Sequence, residues 1–80
     1  MNDTASPVAH DDVWDAGDMG CGILMINLRK RLRAMPGQTL KLIALDAGAP
    51  EDIPAYCRMT GNTLLHVEAG ERSYWIRAKQ

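Results

Sequence analysis

With 80 residues the chain has room for one domain and little more. Its 46% hydrophobic and 24% charged residues describe a globular chain and exclude a disordered one, and no apolar run approaches the ~18 residues that span a bilayer. A formal net charge of −1 supplies no bulk attraction to nucleic acid or to an anionic membrane, so direct nucleic-acid binding is not expected and a charged partner must be met by a local patch.

Residues 1–12 carry Asp3, Asp11 and Asp12, no Lys or Arg and no apolar run, the reverse of a secretory signal. They read as a flexible leader before a domain over 13–80, with the cytoplasm as the expected location. Cys21 and Cys57 are too few for a disulfide framework and read as free thiols in a reducing compartment. Neither cysteine stands near His10 or His66 in the chain, so no metal is expected. A domain this short has a thin margin of stability, which dimerisation or partner binding would supplement.

In chain order, residues 13–16 suggest a short first strand and residues 17–20 a turn. Leu24, Leu28, Leu32 and Met35 then recur at helical spacing, which predicts an amphipathic helix over 23–35. Arg29, Lys30, Arg31 and Arg33 crowd its C-terminal half, where cations suit the helix dipole, and Pro36-Gly37 stops it. Leu40, Leu42 and Ala44 alternate along a second strand, 39–45. After a loop, a second helix is expected from Glu51 or Asp52, with Pro54 in its first turn, Gly61 as its C-cap, and Ile53, Tyr56 and Cys57 facing inward. Strands over 63–69 and 73–78 flank Gly70-Glu71-Arg72 as a hairpin, with Leu65 and Val67 opposing Tyr74 and Ile76 on the core face. The order β-α-β-α-β-β implies an α/β fold with at least one right-handed crossover and both helices on one face of the sheet. Lys41, His66, Glu68, Trp75 and Arg77 are left for the other face.

Cys21 stands between Gly20 and Gly22 directly ahead of the first helix. Unpaired amide N–H groups and the positive end of the helix dipole favour a thiolate there, which predicts a lowered pKa and a nucleophilic sulfur. The glycines leave space for a second sulfur to approach. No histidine or acid is adjacent in sequence and no C-x-x-C motif is present, so neither protease-like nor dithiol chemistry is indicated. One thiol that receives a group and hands it on is the economical reading. Ile23, Met25 and Ile26 make the first turn apolar nearly all round, which reads either as a docking patch beside the thiol or, more plainly, as ordinary core plus one scattered surface residue. The basic run from Arg29 suits an acidic partner, although such a run is more often a solvated helix face.

The stretch from Val13 to Lys79 resembles the TusA, or SirA-like, family of sulfur carriers. That family places the motif Leu-Asp-x-x-Gly-x-x-Cys-Pro-x-Pro at the start of its first helix. Here Trp14-Asp15-Ala16-Gly17-Asp18-Met19-Gly20-Cys21-Gly22-Ile23-Leu24 takes that place, matching at Asp15 and Cys21, with Asp18, Gly22 and Leu24 in place of the glycine and both prolines. Pro36-Gly37, Asp46, Asp52-Ile53-Pro54 and the run Thr60 to Leu65 match further along. The resemblance implies a two-layer α/β sandwich with a mixed four-stranded sheet. It also implies a persulfide carried on Cys21, taken from a cysteine desulfurase or rhodanese-type donor and relayed to an acceptor protein for tRNA thiolation, cofactor synthesis or sulfur oxidation. No cofactor is implied. Asp15, Met19, Gly20, Gly22, Ile23, Met25 and Arg29 form the expected partner-binding set around Cys21. The missing prolines motivate a second class of function, a non-catalytic binding or regulatory module. A third, RNA binding on the sheet face or basic helix, rests on a similar topology in the C-terminal domain of a translation initiation factor.

Overall fold

A computed structural model describes residues 8–80. Strand β1 (Asp12–Gly17) leads into helix α1 (Cys21–Arg33), then β2 (Thr39–Ala44), α2 (Ala49–Thr60), β3 (Thr63–Glu68) and β4 (Ser73–Arg77). The sheet order is β1-β2-β4-β3, with β1 parallel to β2 and both pairs involving β4 antiparallel, so the sheet is mixed. Helix α1 is the crossover between the two parallel neighbours, which a hairpin could not join.

One face of the sheet is closed by both helices. Leu24, Leu28 and Leu32 of α1 and Ile53 and Cys57 of α2 are buried against Leu40, Leu42, Ala44, Tyr74 and Ile76. This is the periodicity of 3.6 meeting the periodicity of 2, and it yields the expected two-layer α/β sandwich. On the outer strand, Trp14 packs against this core and is covered by the Arg31 guanidinium 4.5 Å from its ring centre.

Three details differ from the sequence reading. Helix α2 begins at Ala49, after Gly48, so Pro50 takes the first-turn position and Pro54 lies inside the helix. Its other end is as expected: Gly61 adopts φ 81° and its N–H donates to the Cys57 carbonyl at 3.0 Å. In β3 a bulge separates Leu64, opposite Ile76, from His66, opposite Trp75. Leu64 therefore takes the inward position expected for Leu65, which is left as the extra, exposed residue. Trp75 does lie on the face away from the helices, yet it is 0% exposed. Lys41 Nζ sits 5.1 Å from its ring centre and the His66 ring meets it edge-on at 5.2 Å.

Most of the expected leader, residues 1–7, lies outside the described residues. Asp11, expected within it, exchanges bonds with β2: its N–H donates to the Thr39 carbonyl and its carboxylate accepts from the Thr39 N–H, both at 2.8 Å.

Candidate functional site

The parallel pairing of β1 and β2 brings their C-terminal ends to one edge of the sheet, where Gly17 stands opposite Ala44. The loop after β1 enters α1 and the loop after β2 enters α2, so both helix N-termini open at this edge. Cys21 is the first residue of α1, with Gly20 as an extended N-cap (φ −67°, ψ 151°) that supplies no side-chain cap. The Leu24 N–H donates to the Gly20 carbonyl at 2.8 Å, so the helix starts at the cysteine without the family's prolines.

The loop after β2 delivers Asp46 to the same spot. Cys21 Sγ–H donates to Asp46 Oδ2 at 2.9 Å, and that oxygen also accepts the Gly48 N–H at 3.0 Å. Gly48 is packed where Asp46, Asp52 and Cys21 converge. A Cβ on it would come 3.0 Å from Asp52 Oδ2, 3.2 Å from Asp46 Oδ2 and 3.6 Å from Cys21 Sγ. The two acids and the thiol thus share one small volume at the start of α2.

This arrangement corrects the expectation of a ready thiolate. The hydrogen bond to Asp46 above all, then burial, then Asp52, push the Cys21 thiol up from its ordinary range to about 12. Asp46 is held below the ordinary carboxylate range by the thiol and by the Gly48 N–H. The dipole of α1 still favours a negative sulfur, but an end-charge of roughly +0.5 is set against two full carboxylate charges in contact with the site. At rest the group is therefore a guarded thiol. Its exposure is intermediate, whereas Cys57 is 2% exposed and pushed up to about 11 by burial, so Cys21 is the reachable sulfur.

The expected partner-binding residues are distributed unevenly around it. Gly20 and Gly22 flank the sulfur and are exposed. Ile23 is 57% exposed on the outer side of the first turn, with Ile26 at 56% behind it. Met19 and Met25 instead pack against the core. Asp15 is exposed, and its carboxylate accepts the Gly17 N–H at 3.0 Å, shaping the turn that leads to the cysteine. Arg29 stands two turns along α1, where it lines a groove of about 530 Å³ with Arg33, Tyr56, Met59 and Lys79. The candidate residues that sequence reasoning missed are Asp46 and Asp52. Each was a visible acid near the second helix, but strand pairing sets their relation to Cys21, from which Asp46 is already 25 residues away in the chain.

Gly22 tests the looseness expected from the missing proline. A Cβ there would meet nothing within 4 Å. Gly22→Ala is expected to stabilise the fold by roughly 0.5–1 kcal/mol, by narrowing the unfolded ensemble and favouring the helical turn. A urea midpoint that fails to rise would show that this turn gains nothing from restriction.

Comparison with known proteins points the same way as the motif. A family model described as Sulfurtransferase TusA matches residues 13–78. The sulfur carrier protein TusA of Pseudomonas entomophila is 40% identical over 73 residues, covering 88% of this chain and 91% of that protein. The sulfur carrier protein TusA of Pseudomonas paraeruginosa is 38% identical over 72 residues, covering 86% and 91%. For that of Pseudomonas putida strain W619 the figures are 38% over 72 residues, covering 86% and 90%.

Proposed function

Because the chain belongs to the TusA family of sulfur carriers, we propose that Cys21 carries the sulfur as a persulfide, received from a donor protein and passed to an acceptor protein. The observation that supports this most directly is that Cys21 is the reachable thiol, seated at the opening of α1, while Cys57 is buried in the core.

The transfer is redox-neutral. The Cys21 sulfur attacks the terminal sulfane sulfur of the donor's persulfide, forming a new S–S bond as the donor's own S–S bond breaks. The electron pair of the broken bond leaves on the donor's cysteine sulfur, and the proton lost from Cys21 ends there. An acceptor thiol repeats the exchange on the Cys21 persulfide and regenerates the thiol. Gly20 and Gly22 leave room for the incoming sulfur, and Ile23 offers exposed apolar surface for the protein that brings it. A cysteine desulfurase or a rhodanese-type protein suits the donor role, and the cytoplasm suits the exchange because free thiols persist there.

Incubation with a cysteine desulfurase and cysteine is expected to add one sulfur atom's mass to the wild type, and none to Cys21→Ala, in intact-mass spectra. An unmodified wild type, under conditions that load one of the Pseudomonas relatives, would remove the proposal.

A further inference from the structure

The near-zero net charge conceals a strongly polarised molecule. Asp15, Asp18, Asp46, Glu51, Asp52, Glu68 and Glu71 all lie at the edge of the sheet where Gly17, Ala44 and Ser73 end or begin their strands. Lys30, Arg31, Arg33, Arg58, Arg77 and Lys79 lie at the opposite edge, with Thr39 and Thr63, where Asp11 and Asp12 offset part of their charge. Cys21 is thus set in the acidic pole. Arg72 is the cation among the described residues at that pole, and its Nη1 donates to the Leu45 carbonyl at 3.1 Å. Two helix N-termini open there too, but at roughly +0.5 each they offset only a small part of this charge.

A second feature of the same pole is apolar. A cleft of about 310 Å³ lies beside Asp46, between the loop after β2 and the β3–β4 turn, and is lined by Leu45, Pro50, Val67, Tyr74 and Arg72. Leu45 and Val67 are 44% and 40% exposed, unusually apolar for the rim of an acidic end. An apolar recess bordered by Asp46 and Arg72, in a pole where acids far outnumber that one cation, fits a protein segment that offers an apolar side chain next to positive charge.

We propose that the acidic pole docks a protein segment in which the reactive sulfur is flanked by Lys or Arg beside an apolar residue, and that these cations free Cys21 from Asp46 and Asp52. The inference rests on the carrier reading of Cys21 and adds what the partner must look like. Bringing a cation against Asp46 and Asp52 neutralises the carboxylates that hold the thiol's proton, so docking and activation become one event. A free disulfide or oxidant without that cation meets the guarded thiol, which protects the sulfur between partners. Charges beyond the contact also steer the encounter, since the field of the pole extends about 10 Å at 0.1 M salt.

The test compares thiol–disulfide exchange at Cys21 with three small probes: cystamine, which is dicationic, bis(2-hydroxyethyl) disulfide, which is neutral, and 3,3′-dithiodipropionate, which is dianionic. Each rate is divided by that of N-acetylcysteinamide with the same probe, which removes differences in leaving group. At low ionic strength the normalised rate is expected to be at least tenfold higher for cystamine than for the dianion, with the neutral probe between them. The gap should shrink in 0.5 M salt and in the triple variant Asp18→Asn, Glu51→Gln, Glu71→Gln, whose side chains do not bond the sulfur. Equal normalised rates, or a preference for the dianion, would overturn the inference. Persulfide loading measured on the same protein separates the two ideas: loading without charge preference removes the docking inference, and charge preference without loading removes the carrier reading.

Discussion

Asp46→Asn is expected to make Cys21 react with iodoacetamide roughly ten- to sixtyfold faster at pH 7. The Cys21 proton is shared with the Asp46 carboxylate. With the thiol pushed up to about 12, the thiolate is a minute fraction at neutral pH. Asparagine can still accept the Gly48 N–H through its amide oxygen, so the loop keeps its bond, but the charge beside the sulfur is gone. If the thiol returned fully to its ordinary value near 9, the thiolate fraction would rise by three powers of ten. Nucleophilicity falls as the pKa falls, with a Brønsted slope of about 0.4–0.5, which leaves about sixtyfold as the ceiling. Asp52 remains, and solvent screens part of the change, which sets the lower figure. The sign across pH follows: the wild-type rate climbs all the way towards pH 12, whereas the variant's rate levels off earlier. Cys21→Ala gives the background from Cys57. Wild-type and variant profiles that superimpose would mean that Asp46 does not hold the proton, and that the helix dipole governs the sulfur after all.

The contrast between Cys21 and Asp46 shows what is legible in this sequence. Cys21 is recognisable because everything that marks it is local: two glycines, a turn before it and an amphipathic repeat after it. Asp46 stands out in the sequence only as a match to the family pattern; its place beside Cys21 comes from the pairing of β1 with β2, and a strand pattern does not state its neighbour or its direction. The same limit applies to β3, where alternation names Leu65 as inward and the bulge, which costs nothing in composition, moves that role to Leu64. Helix α1 is legible because Leu24, Leu28 and Leu32 repeat cleanly and are buried as a stripe. The start of α2 is not, because Gly48 is a cap without a side chain and two prolines, Pro50 and Pro54, compete for the first turn. What position-by-position reading supplies is the content of each element; what it omits is which elements meet, and the chemistry at Cys21 depends on that meeting.

Trp75 carries the second large effect, and it lies on the face where alternation assigns polar residues. Trp75→Ala is expected to cost about 3–5 kcal/mol, because the ring is wholly buried in the central strand β4 and the space it leaves is too large to collapse. An 80-residue domain holds about 4–12 kcal/mol in all, so this variant should populate the unfolded state strongly in mild urea. Trp75→Phe keeps an aromatic surface under Lys41 and against His66. It also removes an indole N–H that is buried without a hydrogen-bond partner among the described residues, so its loss of volume is partly offset and its cost should be far smaller than that of alanine. Strand β4 holds the site edge as well: the Ala44 N–H donates to the Arg72 carbonyl at 3.0 Å just before Ser73, tying this strand's start to the loop that carries Asp46. The phenylalanine variant, if folded as argued, should therefore leave the iodoacetamide rate at Cys21 unchanged, while the alanine variant should expose both thiols together as it unfolds. Equal urea midpoints for the alanine variant and the wild type would show that Lys41 and His66 cover the indole without relying on it, and the open face would then contribute little to the stability of this fold.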